Sequence, residues 1–196
     1  MGRTSDASER LITAMADLVH RHGYNAVSVD DVCAAAGVKK GSFYYFFPSK
    51  RELMLAALEQ RDAMAKSHVM GGVFDPEVPP LERIERLFAA VATFETANKR
   101  DNGKVLGCPF GNIAIEMSTA EPKLARRADA ALSGIASFIA TALKEAKARG
   151  EIAKRVDVDE AAEAIVAYFE GAILLAKARN DPSVLRKLGK RAISLV

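Results

Sequence analysis

The stretch Val38–Lys50, VKKGSFYYFFPSK, places five consecutive aromatic residues between lysines. The whole chain has nine Phe, four Tyr and no Trp, so this one stretch holds a large share of its aromatic side chains. On a helix of about 100° per residue, Phe43 and Phe47 share one side, while Tyr44 and Tyr45 point away from it. We therefore predict a short helix that is anchored in a core by phenylalanine and exposes its tyrosines.

A second short helix precedes this one. Ser28 is followed three residues later by Asp31, which is the spacing of a capping box, and Gly37 is typical of a helix end. The sequence thus predicts helices over Val29–Ala36 and Lys40–Phe46, joined by a turn that contains glycine. This is the pattern of a helix-turn-helix, whose second helix enters the major groove of DNA.

The charge around the second helix favours the same function. Four cations and no acid occur from Lys39 to Arg51, the other two being Lys40 and Lys50. The net charge of +3 and a pI of about 8.9 are too small to indicate nucleic-acid binding by themselves. A local basic cluster is the stronger signal. The alternative is that these lysines are ordinary solvated residues on a three-helix core.

The segment SVDDVCAAAGVKKGSFYYFFPSKRELM resembles the DNA-binding region of the TetR family of bacterial repressors, and the match covers residues 8–58. The turn, the aromatic run and the PSK tripeptide are in register with the family pattern. The family often has a phosphate-binding His where this chain has Phe46, so Phe46 is left out of the predicted contacts. The resemblance and the local charge together predict these DNA contacts: Ser28, Lys39, Lys40, Gly41, Ser42, Tyr44, Tyr45 and Lys50.

The rest of the chain is typical of a helical globular protein, with 49% hydrophobic and 27% charged residues. Long amphipathic patterns follow residue 48, and GGVFDPEVPP (Gly71–Pro80) is predicted to be a loop. We expect an all-α fold of about nine helices. It would comprise a three-helix helix-turn-helix domain over residues 1–48 and a larger regulatory and dimerisation domain over residues 49–196.

Neither a signal peptide nor a membrane span is indicated by the sequence. The longest apolar runs fall short of the ~18 residues that a membrane helix needs, and the N-terminus lacks the apolar segment of a signal peptide. The two cysteines, Cys33 and Cys108, are far apart and predict no disulfide framework. These features favour a cytoplasmic protein.

The last two predicted helices carry more apolar residues than one buried stripe needs, for example Ile165, Phe169 and Leu174. Such helices suit an intersubunit four-helix bundle, and the TetR resemblance also implies dimerisation. A homodimer would read a palindromic operator with recognition helices roughly 34 Å apart. A monomer with a buried terminal hairpin is the alternative.

The segment GCPFGNIAIEMSTAEPKLARRA, residues 107–128, resembles a subset of TetR regulators with a GC-L/P-x-G-N-x-x-x-E pattern. Some members of that subset sense electrophiles or oxidants, and others bind small unsaturated acids. Cys108 lies at or just before a predicted helix N-terminus, where the helix dipole favours the thiolate. Lys177 is a candidate for a nearby cation. Alternatively, Cys108 is simply a small buried hydrophobic residue.

The resemblance implies a repressor that is released by a small-molecule effector or by modification of Cys108. An effector pocket would be largely apolar, and the candidates in the middle helices are Phe94, Phe110, Met117, Phe138 and Tyr168. Such residues also suit an ordinary core. The competing function is a helical ligand-binding or interaction module that no longer binds DNA.

Enzymatic and metal-dependent functions are not indicated. His20 and His22 lie about 200° apart on a helix and therefore cannot chelate one ion. The HExxH, GxGxxG, Walker and GxSxG motifs do not occur. We predict no catalytic residue, no metal and no cofactor.

Overall fold

The computed structural model of the protein describes residues 2–195, with side chains for residues 6–67 and 70–195. Over these residues the fold is entirely helical, which confirms the predicted class. The α-helices are α1 (Gly2–His22), α2 (Val29–Ala36), α3 (Lys40–Phe46), α4 (Lys50–Met64), α5 (Gly71–Val73), α6 (Pro80–Asn102), α7 (Pro109–Met117), α8 (Pro122–Ala148), α9 (Val158–Arg179) and α10 (Ser183–Ala192).

The helix-turn-helix is formed by α2 and α3, whose ends match the predicted ones. The Ser28 hydroxyl accepts a hydrogen bond from the Asp31 backbone at 3.1 Å, and the Asp31 carboxylate accepts one from the Ser28 backbone at 2.8 Å. The expected capping box is therefore present. Gly37 ends α2 in the left-handed region, with φ 63°, a conformation that glycine adopts without steric cost.

The predicted loop over Gly71–Pro80 is wrong in its first three residues and at Pro80, where α6 begins. The chain continues from α4 through a π-helical segment, Ala65–Met70, into α5, and leaves the helix only at Phe74. Val73 is buried, so tertiary packing outweighs the poor helix propensity of Gly71 and Gly72. If these three consecutive segments are taken as one helix, residues 2–195 contain the predicted nine.

The chain divides into two compact units. The first comprises Met1–Ala63 and Pro109–Asp129, and the second comprises Met64–Cys108 and Ala130–Val196. In the first unit, α7 and the start of α8 add Ile113 and Leu124, which are 1% and 0% exposed, to the helix-turn-helix core. Three short helices bury little apolar surface on their own. The sequence boundary near residue 48 stays a prediction.

The core of the second unit is built largely from α6, α8, α9 and α10. The ring of Phe88 packs edge-to-face on Phe169, with centroids 5.0 Å apart. A Cβ atom added at Gly189 would lie 2.6 Å from the Phe88 Cβ atom, so this close approach of α10 to α6 requires glycine. Among the residues described, no helix combines the length and apolar character needed to cross a bilayer.

Candidate functional site

The aromatic run of α3 divides as the helical period predicts. Phe43 is fully buried in the first unit, whereas Tyr44 is 54% and Tyr45 76% exposed. Phe47 is only half-buried, and its ring centroid lies 6.3 Å from that of Phe43. The Phe43 side chain thus anchors α3 while both phenol groups face outwards.

The N-terminal end of α3 is open in front of Gly41. A Cβ atom added there would meet no atom within 4 Å, which leaves room for close approach of another molecule. Ser42 is half-buried, and its backbone N–H donates to the Lys39 carbonyl at 2.9 Å. At the other end, Phe46 packs edge-to-face against Tyr45, with centroids 4.9 Å apart, so Phe46 contributes to the aromatic surface without a polar group.

Lys39 and Lys40 are both exposed at the start of α3. The Lys40 Nζ atom lies 2.8 Å from Asp30 Oδ1, and the hydrogen bond to Asp30 raises the pKa of Lys40. Asp30 is on α2, outside the acid-free window of the sequence, so the structure adds a carboxylate beside the predicted contacts. Ion pairs this exposed are weak, and a DNA phosphate would compete directly for the Lys40 amine.

Ser28 and Lys50 flank α3, and both side chains form hydrogen bonds within the protein. The Ser28 hydroxyl donates to Asp31 Oδ2 at 2.7 Å, and the Ser28 hydrogen bonds lower the pKa of Asp31. Lys50 Nζ donates to the Tyr24 carbonyl at 2.5 Å and lies 4.0 Å from the centroid of the Tyr24 ring. Burial lowers the pKa of Lys50. Of the eight predicted contacts, Ser42 and Lys50 are half-buried and the other six residues are exposed.

Two residues of this unit were missed by the sequence analysis. Asp30 pairs with Lys40, as described above. Glu116 on α7 accepts hydrogen bonds from the backbones of Tyr24, at 2.8 Å, and Asn25, at 2.7 Å. Glu116 is the final residue of the GC-x-x-G-N-x-x-x-E pattern, and that position was the only sequence signal for it.

In the second unit, Cys108 is half-buried directly before α7, the position that the sequence predicted. Its thiol forms a hydrogen bond with the Glu170 carboxyl group on α9. Burial raises the pKa of Glu170, and this hydrogen bond opposes the rise. A carboxylate next to a thiol disfavours the thiolate. The charge of Lys177, the candidate cation, acts on the buried Glu95 carboxylate and lowers its pKa against the larger effect of burial.

The five apolar effector candidates are distributed over both units. Phe110 and Met117 are core residues of the first unit, 6% and 3% exposed. In the second unit, Phe94 is 46% exposed, and Phe138 packs on Phe74 with centroids 5.5 Å apart. The Tyr168 hydroxyl donates to the Leu188 carbonyl at 3.2 Å. Their role in effector binding stays a prediction.

Glu170→Gln is expected to stabilise the protein at pH 7 by about 1 kcal/mol, because burial raises the pKa of Glu170 and the amide removes a buried ionised carboxyl group whose Oε1 has no hydrogen-bond partner. The raised pKa means that the ionised wild-type carboxyl costs stability above that pKa, and that protonation removes the cost as the pH falls. The gain should therefore shrink at acid pH. Urea denaturation at several pH values measures it, with Glu163→Gln, an exposed position on α9, as the control. An equal gain at all pH values would contradict the assignment.

Comparison with known proteins agrees with this geometry. Residues 11–57 match the family model described as bacterial regulatory proteins, tetR family. Residues 80–191 match the model described as tetracyclin repressor-like, C-terminal domain. The chain is 33% identical to the transcriptional regulator AcuR of Cereibacter sphaeroides, over 96% of this chain and 86% of that protein. It is 27% identical to the transcriptional repressor DhaR of a Mycobacterium species, over 92% and 87% of the two chains.

A solved structure gives the same result at the level of the fold. The regulatory protein TetR from Rhodobacter sphaeroides superposes with a TM-score of 0.82 at 30% identity, over 95% of this chain and 96% of that one. The chain belongs to the TetR family of transcriptional regulators. Members of this family are typically DNA-binding repressors with a ligand-binding C-terminal domain, and the family consists of regulators rather than enzymes.

Proposed function

We propose that this protein is a repressor that binds a palindromic operator as a homodimer and is released by a small-molecule effector. The observation that carries the proposal is the outward presentation of Tyr44 and Tyr45 beside two exposed lysines at the open end of α3. Hydroxyl and amine donors of this kind bind phosphate oxygens, and residues at the start of a recognition helix reach base edges. The proposed contacts are Lys39, Lys40, Gly41, Ser42, Tyr44 and Tyr45, with Ser28 and Lys50 at the edge of the surface.

A gel-shift titration with the DNA that flanks the gene tests this function. We expect one short palindromic fragment to be retarded, with an affinity that falls steeply as salt rises, because lysine–phosphate contacts release counterions. A helical interaction module that lacks DNA binding would retard neither this fragment nor a scrambled one of equal length. That result would favour the alternative function.

The homodimer is proposed to form through α9 and α10. Most apolar residues of these helices, including Ile165, Phe169 and Leu185, are buried within the chain itself. Leu174 and Leu175 remain 55% and 39% exposed on α9. Large aliphatic side chains that are exposed in a single chain are expected at a subunit interface.

Effector release is proposed to act through the second unit, either by reversible binding or by modification of Cys108. Cys108→Ser is expected to abolish release by an added electrophile if the thiol is the sensor, while operator affinity without electrophile stays within about twofold of wild type. The measurement is DNA-binding anisotropy before and after addition of the electrophile. Full release from the variant would exclude the thiol and leave reversible binding as the proposed mode.

We infer a cytoplasmic location from the proposed function, since that compartment holds bacterial operator DNA. Catalysis plays no part in the proposal, since the family to which the chain belongs consists of transcriptional regulators. The proposed partners are therefore double-stranded DNA, a second copy of the chain and an effector.

A further inference from the structure

The turn between α1 and α2, residues 23–27, is bound by a side chain that lies more than 90 residues away in sequence. Glu116 Oε2 accepts the Tyr24 N–H at 2.8 Å, and Glu116 Oε1 accepts the Asn25 N–H at 2.7 Å. Both carboxylate oxygens therefore bind successive backbone amides, and hydrogen bonds to an ionised acceptor are stronger than those between neutral groups.

Gly23 is the residue that permits this arrangement. Its φ of 86° lies in the region that L side chains rarely adopt, and a Cβ atom there would stand 3.1 Å from Glu116 Oε2. The backbone conformation therefore favours glycine, and a side chain there would also displace the Glu116 carboxylate by a few tenths of an ångström. The turn is shaped to receive a carboxylate.

Lys50, at the start of α4, binds the same turn through the carbonyl and the ring of Tyr24. Its Nζ atom donates to the Tyr24 carbonyl at 2.5 Å and lies over the Tyr24 ring. The charge of Glu116 raises the pKa of Lys50 and partly offsets the larger effect of burial. The Asn25 side-chain amide also donates a hydrogen bond to the Met117 sulfur, at 3.9 Å. Residues from α4 and α7 thus fix the turn that leads directly into the Ser28 cap of α2.

We propose that Glu116 is a positioning residue for DNA binding, which sets the orientation of α2 and α3 through the backbone of the α1–α2 turn. This proposal revises the role of Lys50, which is given above as a DNA contact at the edge of the surface: its amine acts with Glu116 on the turn and does not bind phosphate. The proposal rests on the proposed DNA-binding function.

Glu116→Gln tests this role with little change in side-chain size. The amide has one acceptor oxygen, and its NH₂ group would oppose one of the two backbone N–H groups. We expect operator affinity to fall about tenfold, or about 1.4 kcal/mol, at a temperature where both proteins are folded and dimeric. The slope of affinity against salt should be unchanged, because no phosphate contact is removed. The Tyr24 and Asn25 amides should exchange faster with solvent.

Glu121→Gln is the matched control. It removes the same charge from the same unit, but Glu121 pairs with the Arg51 side chain at 3.5 Å instead of binding turn amides. Its operator affinity should stay within twofold of wild type. Lys50→Met gives a second test: a lost phosphate contact would reduce the salt slope by about one, whereas a lost turn contact lowers affinity with no change in slope.

The outcomes separate this proposal from the function on which it rests. Failure of the wild-type protein to bind any DNA overturns the proposed function. Wild-type binding together with unchanged affinity and amide exchange in Glu116→Gln overturns only the positioning role. Hydrogen exchange of the backbone amides in the wild-type protein is a further test, and it does not depend on whether a variant folds. Protected Tyr24 and Asn25 amides support the proposal, and exchange at the rate of a free turn contradicts it.

Discussion

Replacing Phe43 by alanine is expected to abolish specific operator binding and to destabilise the first unit by about 3–5 kcal/mol, the usual cost of removing a fully buried phenyl ring. Phe43 is 0% exposed and is the buried side chain of the seven-residue helix α3. So short a helix has little stability of its own and depends on tertiary packing. Without its anchor, α3 should no longer hold Tyr44 and Tyr45 in a fixed orientation. Chemical denaturation and DNA-binding anisotropy measure the two effects.

Tyr45→Ala is the matched control for Phe43→Ala, because it removes the neighbouring side chain from the same helix. Tyr45 is 76% exposed, so its loss should change the free energy of unfolding by no more than about 0.5 kcal/mol. Operator affinity should nevertheless fall, since a phenol that faces the DNA is lost. Wild-type affinity and stability in Phe43→Ala would show that α3 is not anchored in this way.

Leu174→Glu is expected to convert the dimer to a monomer and to lower operator affinity at least about 100-fold. Leu174 is 55% exposed in the single chain, and burying a glutamate in its place between two subunits leaves a charge without a partner. A monomer binds only one half-site and therefore loses the additional affinity that a dimer gains by binding both half-sites at once. Analytical ultracentrifugation and a binding titration measure the two changes.

Ile115→Glu is the control for Leu174→Glu, because it makes the same kind of change at an aliphatic residue that is 76% exposed on α7. Its oligomeric state should equal that of the wild type. A Leu174→Glu protein that stays dimeric at micromolar concentration would contradict an interface through α9.

The helix-turn-helix was predictable because its signals are local. The Ser28–Asp31 box and Gly37 define α2 within ten residues of sequence, and the helical period alone separates Phe43 from the two tyrosines. Residues 71–73 were assigned to a loop because glycine has low helix propensity, and the burial of Val73 that overrides it is a tertiary effect.

Contacts between distant parts of the chain could not be predicted from the sequence. The Glu116 carboxylate reaches a turn 92 residues away in sequence, and no local pattern specifies that approach. The effector candidates show a different limit. Phe110 and Phe138 both lie on amphipathic helices, and the same spacing is typical of a packed core and of a pocket wall. Only the structure shows that Phe110 is buried and Phe138 half-buried.

Selection of bound duplexes from a random pool with the wild-type protein would show whether paired α3 helices present Tyr44 and Tyr45 to DNA. We expect enrichment of an inverted repeat whose half-sites are centred about one helical turn, roughly 34 Å, or a multiple of it apart. Failure to enrich any sequence, or enrichment of a single unrepeated site, would contradict it.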